Sequence, residues 1–467
     1  MTRRGTSALA TILFAVIASL IWWQDELYEP ARLALIVFVG TTMLWAFTRL
    51  DAAWVALGAV VILMGYGATS EQQAFEMLGH DVIWLMIGAF TMGTAIEHSG
   101  LANRLVRYVA ARASNAGQLF WFTTVLLVPF TFLIPSTSGR AATMLPLMQL
   151  IPGESESGLR RAYGMLIPVV ILLATSAALT GAGSHLVFEE LLLQRLGDRF
   201  GFGAWAVWGI PFAAASAALA CWAILHFFLD ADHRRSPLLE QSIEVQSPLS
   251  AIEWRTLAIV AVTLLLWFTT AWHQLAIATV AICAMLALTA PYIGVLPFKK
   301  AIKTINWSLI LFVGAAMLLG RTLIDTQAAP WVMSGAFRVL GLEAVAPRAM
   351  PELTIIVGLS VLTMASHLII TSHVARAAVL GPPLLLFAQT AGVDPLAVLF
   401  IAAVGTNYCI SLPVCSKALM VFQDAESGGG FAASDLLRLS AILAIPNLML
   451  MIATYFLWWK WTGLSLI

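Results

Sequence analysis

The chain carries very little charge. Asp, Glu, Lys and Arg make up 11% of its 467 residues, against about 25% in soluble proteins, and 25 basic residues cancel 25 acidic ones. Without an excess of either sign, the charge does not point to nucleic acid or to an acidic partner. The chain also has only four cysteines. They lie in apolar stretches without a CxxC spacing, so we expect reduced core thiols rather than disulfides or a metal site.

Apolar sequence takes the place of charge. Hydrophobic residues make up 60% of the chain, which has 17 Trp and a mean hydropathy of +0.89. This composition predicts an all-α polytopic membrane protein. The first apolar run ends in Trp22 and Trp23 without a small-residue cleavage pattern, so we interpret it as a retained helix. Segments of membrane-crossing length predict eleven spans, at 6–24, 31–48, 52–67, 82–97, 164–194, 205–229, 255–271, 275–295, 306–324, 395–423 and 434–459.

Two further apolar stretches, 119–151 and 352–390, are too long for one ordinary helix, and the same polar motif interrupts both. Ser-Thr-Ser-Gly-Arg-Ala-Ala at 136–142 recurs as Ser-His-Val-Ala-Arg-Ala-Ala at 372–378, 236 residues later. A guanidinium in hydrocarbon costs at least about 2.5–3.5 kcal/mol, so two at matching positions need a reason beyond packing. We interpret each stretch as a re-entrant hairpin of two half-helices, because irregular backbone at membrane depth is tolerated only against protein or a cavity.

The basic residues predict an orientation. With the N-terminus inside, fifteen of them fall in inner loops, six in outer segments and four within spans. This asymmetry satisfies the positive-inside rule and places the C-terminus outside. Basic flanks at both ends of 119–151 put the first hairpin on the inner side, and the second hairpin then enters from outside.

A wider repeat predicts two inverted halves. A Gly-containing pattern at 88–94 lies in the span before the first hairpin, and a similar pattern at 314–320 lies in the span before the second. In the predicted layout these two spans run in opposite directions, as in inverted-topology repeats. Segments 99–118 and 326–348, each between a span and a hairpin, have the pattern of interfacial helices. We therefore divide the chain into N-terminal helices at 1–51, a first inverted repeat at 52–229, a cytoplasmic linker at 230–254 and a second inverted repeat at 255–467.

The hairpin tips are the first candidate site. A helix broken at the midplane exposes amide N–H groups, and its dipole attracts an anion to that end. Hydroxyls at both tips could bind a carboxylate or sulfate, or could instead serve only close helix packing. The candidate substrate ligands at the tips are Ser136, Thr137, Ser138, Ser372 and His373. Thr371 is a candidate coupling-ion or gating residue, and if sodium binds, its ligands would be Ser136, Ser138 and Ser372.

Arg140 and Arg376 follow one helical turn after the tip serines. A guanidinium suits a carboxylate or a tetrahedral oxyanion and stays charged when desolvated. Each could contact the substrate, take the place of a coupling cation, or pair with backbone carbonyls.

Two spans carry helix breaks that should face the tips. Glycines interrupt the first and a proline interrupts the second, which weakens both helices at comparable places. Residues at the breaks are candidates for coupling or gating: Thr180, Gly181, Ser184, His185 and Pro413. Ser416 and Lys417 are candidate substrate ligands, although Lys417 could instead extend to the inner membrane surface.

Histidines and carboxylates add alternatives. His185 and His373 could donate to substrate or titrate in proton coupling, or could be packed residues with hydrogen-bond partners. Glu97, Asp325, Glu189 and Glu190 fall near predicted span ends, and Arg321 is spaced to pair with Asp325. The lack of a clear midspan carboxylate disfavours a cation or proton antiporter. Among the functions considered, this one ranks third, after an anion transporter and an intramembrane enzyme.

The pattern resembles the divalent anion:sodium symporter family of di- and tricarboxylate transporters, within the ion transporter superfamily. The resemblance covers nearly the whole chain and rests on Ser136-Thr137-Ser138, with Ala141-Ala142 and Leu145-Pro146, and more loosely on Ser372-His373-Val374 with Ala377-Ala378. It implies two opposed hairpins, an elevator-like motion and a homodimer.

The chain also departs from that family. Both tips lack the family's Asn, and 182–185 and 416–419 replace its Thr-Pro-Pro-Asn motif after the broken helices. Those motifs support sodium and carboxylate binding in the family. Some family exchangers carry an Arg after the first tip and work without sodium, so the resemblance disfavours obligatory sodium coupling here.

The sequence therefore predicts a secondary transporter, not an enzyme, that moves small organic anions by symport or exchange across the cytoplasmic membrane, with dicarboxylates favoured. Sulfate or a sulfonate is the alternative substrate, and an intramembrane Ser/His enzyme is the alternative class. We expect no cofactor, with Na⁺ or H⁺ as the coupling ion if there is one. The expected partners are the anion, membrane lipid and a second copy of the chain.

Overall fold

The computed structural model describes residues 3–48, 50–151, 157–235, 248–339, 351–423 and 430–467. Within these ranges the chain is helical and has no strand. Eight of the described helices are long and apolar enough to cross a membrane, and five shorter apolar helices accompany them. The prediction of an all-α polytopic membrane protein is confirmed.

The N-terminal half contains twelve α-helices within the described residues. They are α1 (Arg3–Trp22), α2 (Glu29–Phe47), α3 (Ala52–Gly65), α4 (Glu71–Glu76), α5 (Asp81–Ser99), α6 (Leu101–Arg112), α7 (Ala116–Leu133), α8 (Thr137–Met144), α9 (Ser157–Ala174), α10 (Gly183–Leu196), α11 (Phe202–Phe227) and α12 (Ala231–Arg235).

The described part of the C-terminal half contains eleven α-helices. It contains α13 (Ala251–Phe268), α14 (Thr270–His273), α15 (Ile277–Thr289), α16 (Phe298–Thr304), α17 (Trp307–Asp325), α18 (Ala328–Val339), α19 (Glu352–Ala365), α20 (His373–Ala391), α21 (Pro395–Thr406), α22 (Lys417–Gln423) and α23 (Ala433–Leu457). The division into two inverted repeats, with its boundaries, stays a prediction.

Local sequence explains where several of these helices begin. Asp51 accepts hydrogen bonds from the N–H groups of Ala53 and Trp54 and so caps α3. Ser250 and Glu253 form a reciprocal capping box at the start of α13. Such caps satisfy N–H groups that have no partner within the helix.

The two halves are interlocked rather than side by side. α3 packs on α17 of the other half, and α15 packs on α5. At the second contact a Cβ on Gly88 would lie 2.6 Å from the carbonyl oxygen of Ala281, so only glycine allows this approach. In the same crossed manner α8 packs on α22 and α20 packs on α10. Each half thus completes its packing with helices of the other.

The amphipathic helix predicted between a span and the first hairpin is α6. It buries Ala102, Val106 and Val109 and exposes Arg107 and Arg112. A third basic residue, Arg104, forms a two-pronged ion pair with Glu253, at 2.7 Å from Nε to Oε1 and 3.0 Å from Nη2 to Oε2. This pair joins α6 to the start of α13.

The described residues test two predictions only in part. Residues 236–247 of the linker and 340–348 of the second interfacial segment lie outside them. All four cysteines are free, as predicted, and Cys221, Cys409 and Cys415 are buried. Cys283 is exposed, so its placement in the core was wrong: it lies on a face of α15 that other described helices do not cover.

Candidate functional site

The first tip lies between α7 and α8. The helix stops at Leu133, and Ser136 starts the next one by accepting a hydrogen bond from the N–H of Gly139 at 3.1 Å. The hydroxyls of Ser136 and Ser138 lie 3.1 Å apart, and residues 135–139 are half-buried. The predicted helix break at the first motif is therefore present.

The second tip repeats this geometry between α19 and α20. Ser372 accepts from the N–H of Ala375 at 3.3 Å and caps α20. His373 is the first residue of that helix, and Thr371 precedes the cap. Residues 371–374 are half-buried, as at the first tip. His373 and Val374 stand where the first tip has Thr137 and Ser138, so the motif at this tip has two hydroxyls fewer.

Arg140 points away from the tip and into the protein. Its guanidinium is fully buried and donates to the hydroxyl of Thr131 at 2.8 Å, and to the carbonyls of Gly181 at 2.8 Å and Ile171 at 3.5 Å. Its Nε has no hydrogen-bond partner among the described residues. Arg140 thus ties the first tip to the first helix break.

Arg376 makes the corresponding contact in the other half. It too is fully buried, and its Nη2 donates to the carbonyl of Thr406 at 2.7 Å, at the end of α21. Nδ1 of His373 lies 3.3 Å from the same nitrogen. Nε and Nη1 have no hydrogen-bond partner among the described residues. Of the three roles predicted for the arginines, the structure provides the partners for pairing with backbone carbonyls.

The first break separates α9 from α10. Two short 3-10 turns, Thr175–Ala177 and Leu179–Gly181, fill it and bury Thr180. A Cβ on Gly181 would lie 2.2 Å from the carbonyl oxygen of Thr175, so this turn requires glycine. Ser184 is buried in the first turn of α10, and its hydroxyl has no hydrogen-bond partner among the described residues.

The second break separates α21 from α22. The chain leaves the helix at Thr406, makes a short 3-10 turn at Pro413–Cys415 and resumes as α22 at Lys417. The hydroxyl of Ser416 accepts from the N–H of Ala418 at 3.2 Å. The Lys417 side chain is exposed, on a helix that packs on α8.

A buried hydrogen-bond network joins the two breaks. His185 lies 3.1 Å from the carbonyl of Ala178 through Nδ1 and 2.9 Å from the amide nitrogen of Asn407 through Nε2. The same amide nitrogen donates to the hydroxyl of Ser176 at 3.0 Å. Trp205 in turn donates to the carbonyl of Ser176 at 3.0 Å. The broken regions of the two halves are thus in direct polar contact.

Both tips border the surroundings of Gly183, the first residue of α10. A Cβ there would lie 3.2 Å from the side chain of Val374 in the second tip. A small cavity of about 20 Å³ lies between Pro135 of the first tip and Thr180 and Gly183 of the first break. The tips and the first break therefore form one region, bordered by α5 and α17. α22, which begins at Lys417, packs on α8.

Several residues of this region were not among the predicted site residues. Asn407, Ser176 and Thr131 hold the breaks and Arg140 in place. Asn407 could have been found from the sequence, because an Asn is unusual within an apolar run such as 395–410. Ser176 and Thr131 could not, because buried Ser and Thr are common in membrane helices. The carboxylate of Glu97 lies beside the first tip, 2.8 Å from where a Cβ of Gly139 would be. The sequence placed it only at a span end.

The predicted sodium ligands are hydroxyls that are divided between the two tips. Within the described ranges no group of three or more His, Cys, Asp or Glu is arranged to hold a metal ion. Ser136 and Ser138 are adjacent in the first tip, and Ser372 belongs to the second. The role of these hydroxyls toward sodium stays a prediction.

Known proteins resemble this chain over most of its length. Residues 42–405 match the family model described as citrate transporter. The chain is 22% identical over 480 residues to a membrane protein of Cupriavidus necator, covering 99% of this chain and 89% of the relative. It is 23% identical over 471 residues to the L-tartrate/succinate antiporter of Escherichia coli strain K12, covering 96% and 92%.

Two solved structures share the fold. The YdaH transporter of Alcanivorax borkumensis superposes with a TM-score of 0.57 at 15% identity, covering 92% of this chain and 99% of that one. MtrF of Neisseria gonorrhoeae, described with a class of antimetabolite efflux pumps, gives 0.56 at 12% identity, covering 95% and 97%. At these identities the likeness concerns the fold alone.

Proposed function

Because the chain belongs to the citrate transporter family, we propose that it exchanges small dicarboxylates across the cytoplasmic membrane. The family and the antiporter relatives make it a transporter of small organic anions and not an enzyme. Full-length similarity to an antiporter of tartrate and succinate supports the dicarboxylate class. The narrower assignment to the divalent anion:sodium symporter family stays a prediction.

The observation that carries this proposal is a pair of serine-capped helix starts that both border Gly183: Pro135, just before the first cap, lines the same small cavity as Gly183, and Val374 of the second start packs against it. The N–H groups of Thr137 and Ser138, and of His373 and Val374, lie outside the helical hydrogen-bond ladder of α8 and α20. Each helix start attracts negative charge through its dipole. In this proposal each carboxylate of a dicarboxylate binds at one helix start, whereas a single carboxylate uses only one.

Arg140 and Arg376 support this site without lining it. Both are fully buried, and each donates one hydrogen bond to a carbonyl at a break, Gly181 for Arg140 and Thr406 for Arg376. We propose that they fix the geometry of the breaks and supply a constant positive field at the site. A field in a low-dielectric interior is felt more strongly than in water.

The same contacts support exchange without sodium. Backbone carbonyls at unwound helix segments are the groups that coordinate sodium in related architectures. Here the carbonyls of Gly181 and Thr406 accept hydrogen bonds from guanidinium groups. A positive group is therefore already in place at each break, and sodium is not needed to balance the anion.

Lys417 is the candidate cation for direct contact with the substrate. It is exposed and begins α22, which packs on the helix of the first tip. An ammonium on a flexible stem can follow a bound carboxylate as the site opens and closes. Lys303, exposed on α16, provides a matched control.

Reconstitution of the purified protein tests the proposal. Proteoliposomes loaded with unlabelled succinate are given labelled succinate, tartrate, citrate or sulfate, in sodium or in choline buffer. We expect uptake of succinate and tartrate that requires internal anion and is equal in both buffers. Lys417→Gln should raise KM about five- to tenfold, the loss of about one screened charge contact, while Lys303→Gln leaves KM unchanged.

Three outcomes would contradict this function. Absence of exchange for every anion would remove the transport assignment. Uptake of sulfate with no carboxylate uptake would replace the substrate class. Uptake that stops when choline replaces sodium would overturn sodium-independent exchange. It would instead support a sodium site at the tips.

We further propose an inside N-terminus, an outside C-terminus and a homodimer in the cytoplasmic membrane. The orientation is supported by the excess of basic residues in the predicted inner loops, including the exposed Arg107 and Arg112 of α6. The dimer rests on the family resemblance. Cysteine accessibility at the two ends and mass measurement in detergent test these points separately.

A further inference from the structure

Two of the four cysteines lie side by side at the second break. Cys409 follows the end of α21, and Cys415 ends the short 3-10 turn that precedes α22. Sγ of Cys409 lies 3.7 Å from the carbonyl oxygen of Cys415, and the two thiols are within hydrogen-bonding range of each other. Both are free thiols. These two residues, which we call the thiol pair, face each other across the turn that closes the break.

The thiol pair also contacts the second tip. Sγ of Cys409 lies 3.6 Å from the carbonyl oxygen of Thr371, directly before the residue that caps α20. The guanidinium of Arg376, from the first turn of α20, lies beside the same thiol. A chemical change at the sulfur of Cys409 is therefore felt at the second tip as well as at the break.

These neighbours are the ones that make a cysteine reactive. A thiol reacts with oxidants as its thiolate, and a positive charge next to it favours that form. Cysteines that respond to oxidants are often placed next to a second cysteine, which resolves the first product. Arg376 supplies the charge and Cys415 the second thiol, so Cys409 has both features.

The thiol pair is buried only by a thin layer of protein. Cys409 is 0% exposed and Cys415 is 4% exposed, but Val414 between them is 57% exposed. Leu412 and Pro413 of the same turn are partly exposed. A small neutral oxidant such as hydrogen peroxide therefore needs only a transient opening of this turn to reach the sulfurs.

We propose that the thiol pair is an oxidation site, at which a peroxide forms a disulfide between Cys409 and Cys415 that slows anion exchange. In the first step the sulfur of Cys409 takes one oxygen from hydrogen peroxide, becomes a sulfenic acid and releases water. The thiol of Cys415 then attacks that sulfur, so that the S–S bond forms and the second oxygen leaves as water. Two thiols are oxidised to one disulfide, and the peroxide is reduced to two waters.

The disulfide changes the second break in two ways. It closes a covalent ring over 409–415 and so fixes the turn between α21 and α22. It also removes the S–H group of Cys409, which lies next to the carbonyl of Thr371 at the second tip. Broken helices at the binding site have to adapt as access alternates between the two sides. The effect on exchange thus rests on the proposed function, whereas formation of the bond does not.

Peptide mass tests the bond itself. The purified protein carries Cys283→Ser, which removes the exposed thiol, and is treated with hydrogen peroxide in detergent. Thiols that remain are alkylated after denaturation. The tryptic peptide 377–417 contains both cysteines of the thiol pair and no other. We expect it without alkyl groups and lighter by two hydrogens, and with two alkyl groups when dithiothreitol precedes alkylation.

Single substitutions assign the bond to these residues. Cys409→Ser and Cys415→Ser should each prevent the disulfide in peptide 377–417. Cys221 is the matched control, because it is also buried but lies on α11, away from the break. Its thiol should stay available for alkylation after peroxide in every variant.

Succinate exchange in proteoliposomes tests the consequence, and each variant is compared with and without peroxide. Peroxide should lower the exchange rate of the Cys283→Ser protein at least about threefold, because a break closed by a covalent bond opens less readily. Dithiothreitol should restore the rate. Since it does not reduce oxidised methionine, recovery identifies the thiols. Cys221→Ser should keep this response to peroxide, and Cys409→Ser and Cys415→Ser should lose it.

Two results would overturn the proposal: free thiols at both positions after peroxide, or a disulfide that leaves the exchange rate unchanged. A reversible disulfide in a protein that exchanges no anion would refute the proposed function and the effect on exchange, while the oxidation site itself would stand.

Discussion

His185 and Asn407 are hydrogen-bonded to each other across the two halves, with 2.9 Å between Nε2 and Nδ2. One residue follows the first helix break and the other begins the second. Both are buried, so each satisfies a polar group that would otherwise lack a partner. The relative position of the two breaks is thus fixed by a pair of side chains rather than by packing alone.

A double-mutant cycle measures this coupling. His185→Phe and Asn407→Leu should each lower stability by about 1–3 kcal/mol, because each leaves a buried partner unsatisfied. The double variant should lose less than the sum, with a coupling of about 1 kcal/mol. Thermal or denaturant unfolding in detergent gives the values. Simple additivity would show that the contact contributes nothing to the folded state.

The tip serines should affect substrate affinity as well as stability. Ser136→Ala and Ser372→Ala remove a cap worth about 1 kcal/mol and a hydroxyl beside the free N–H groups. We expect KM for succinate to rise in both variants. Ser70→Ala is the matched control, because Ser70 caps α4 in the same way outside the site. If all three variants have the same KM, the serines serve only the helices.

Glu97 places a negative charge beside the first tip. Glu97→Gln removes that charge and should lower KM for a dianion about two- to fivefold, as expected for a partly screened repulsion of less than about 1 kcal/mol. Glu71→Gln, at the exposed start of α4, controls for a general change in surface charge. An increase in KM would show that Glu97 instead helps to form the site.

Gly209 of α11 allows the first break to pack closely. A Cβ there would lie 2.0 Å from the carbonyl oxygen of Ser176, which must keep its bond to Trp205. Gly209→Ala should therefore cost about 1–3 kcal/mol through overpacking. Gly358→Ala, in α19 with open space around it, should stabilise by about 0.4–1 kcal/mol. Unfolding midpoints of the two variants that shift in the same direction would contradict this assignment.

The sequence was sufficient for the helices and for the tips. Apolar run lengths predicted eleven spans, and the described residues contain eight helices of spanning length with five shorter apolar ones. The recurrence at 136–142 and 372–378 predicted two helix breaks, and each is followed by a serine-capped helix. It was not sufficient for the partners of those residues. Arg140 donates to the backbone carbonyl of Gly181. Since every residue has such a carbonyl, the sequence does not identify which one accepts the hydrogen bond.

Contacts between distant residues were also beyond sequence reasoning. His80 and Glu190 are 110 residues apart, and each was ordinary at a predicted span end. Their pairing depends on the angle at which α10 leaves the first break. That angle is set by tertiary packing, which a single sequence does not reveal.

The crossed packing of α5 on α15 bears on how the chain is made. Gly88 meets Ala281, which lies roughly 190 residues further along. At about 5–20 residues per second, a ribosome takes about 10–40 s to supply that surface. During this interval the first half is in the membrane with an open face where α15 will pack, and lipid or an insertion chaperone has to cover it until the second half arrives.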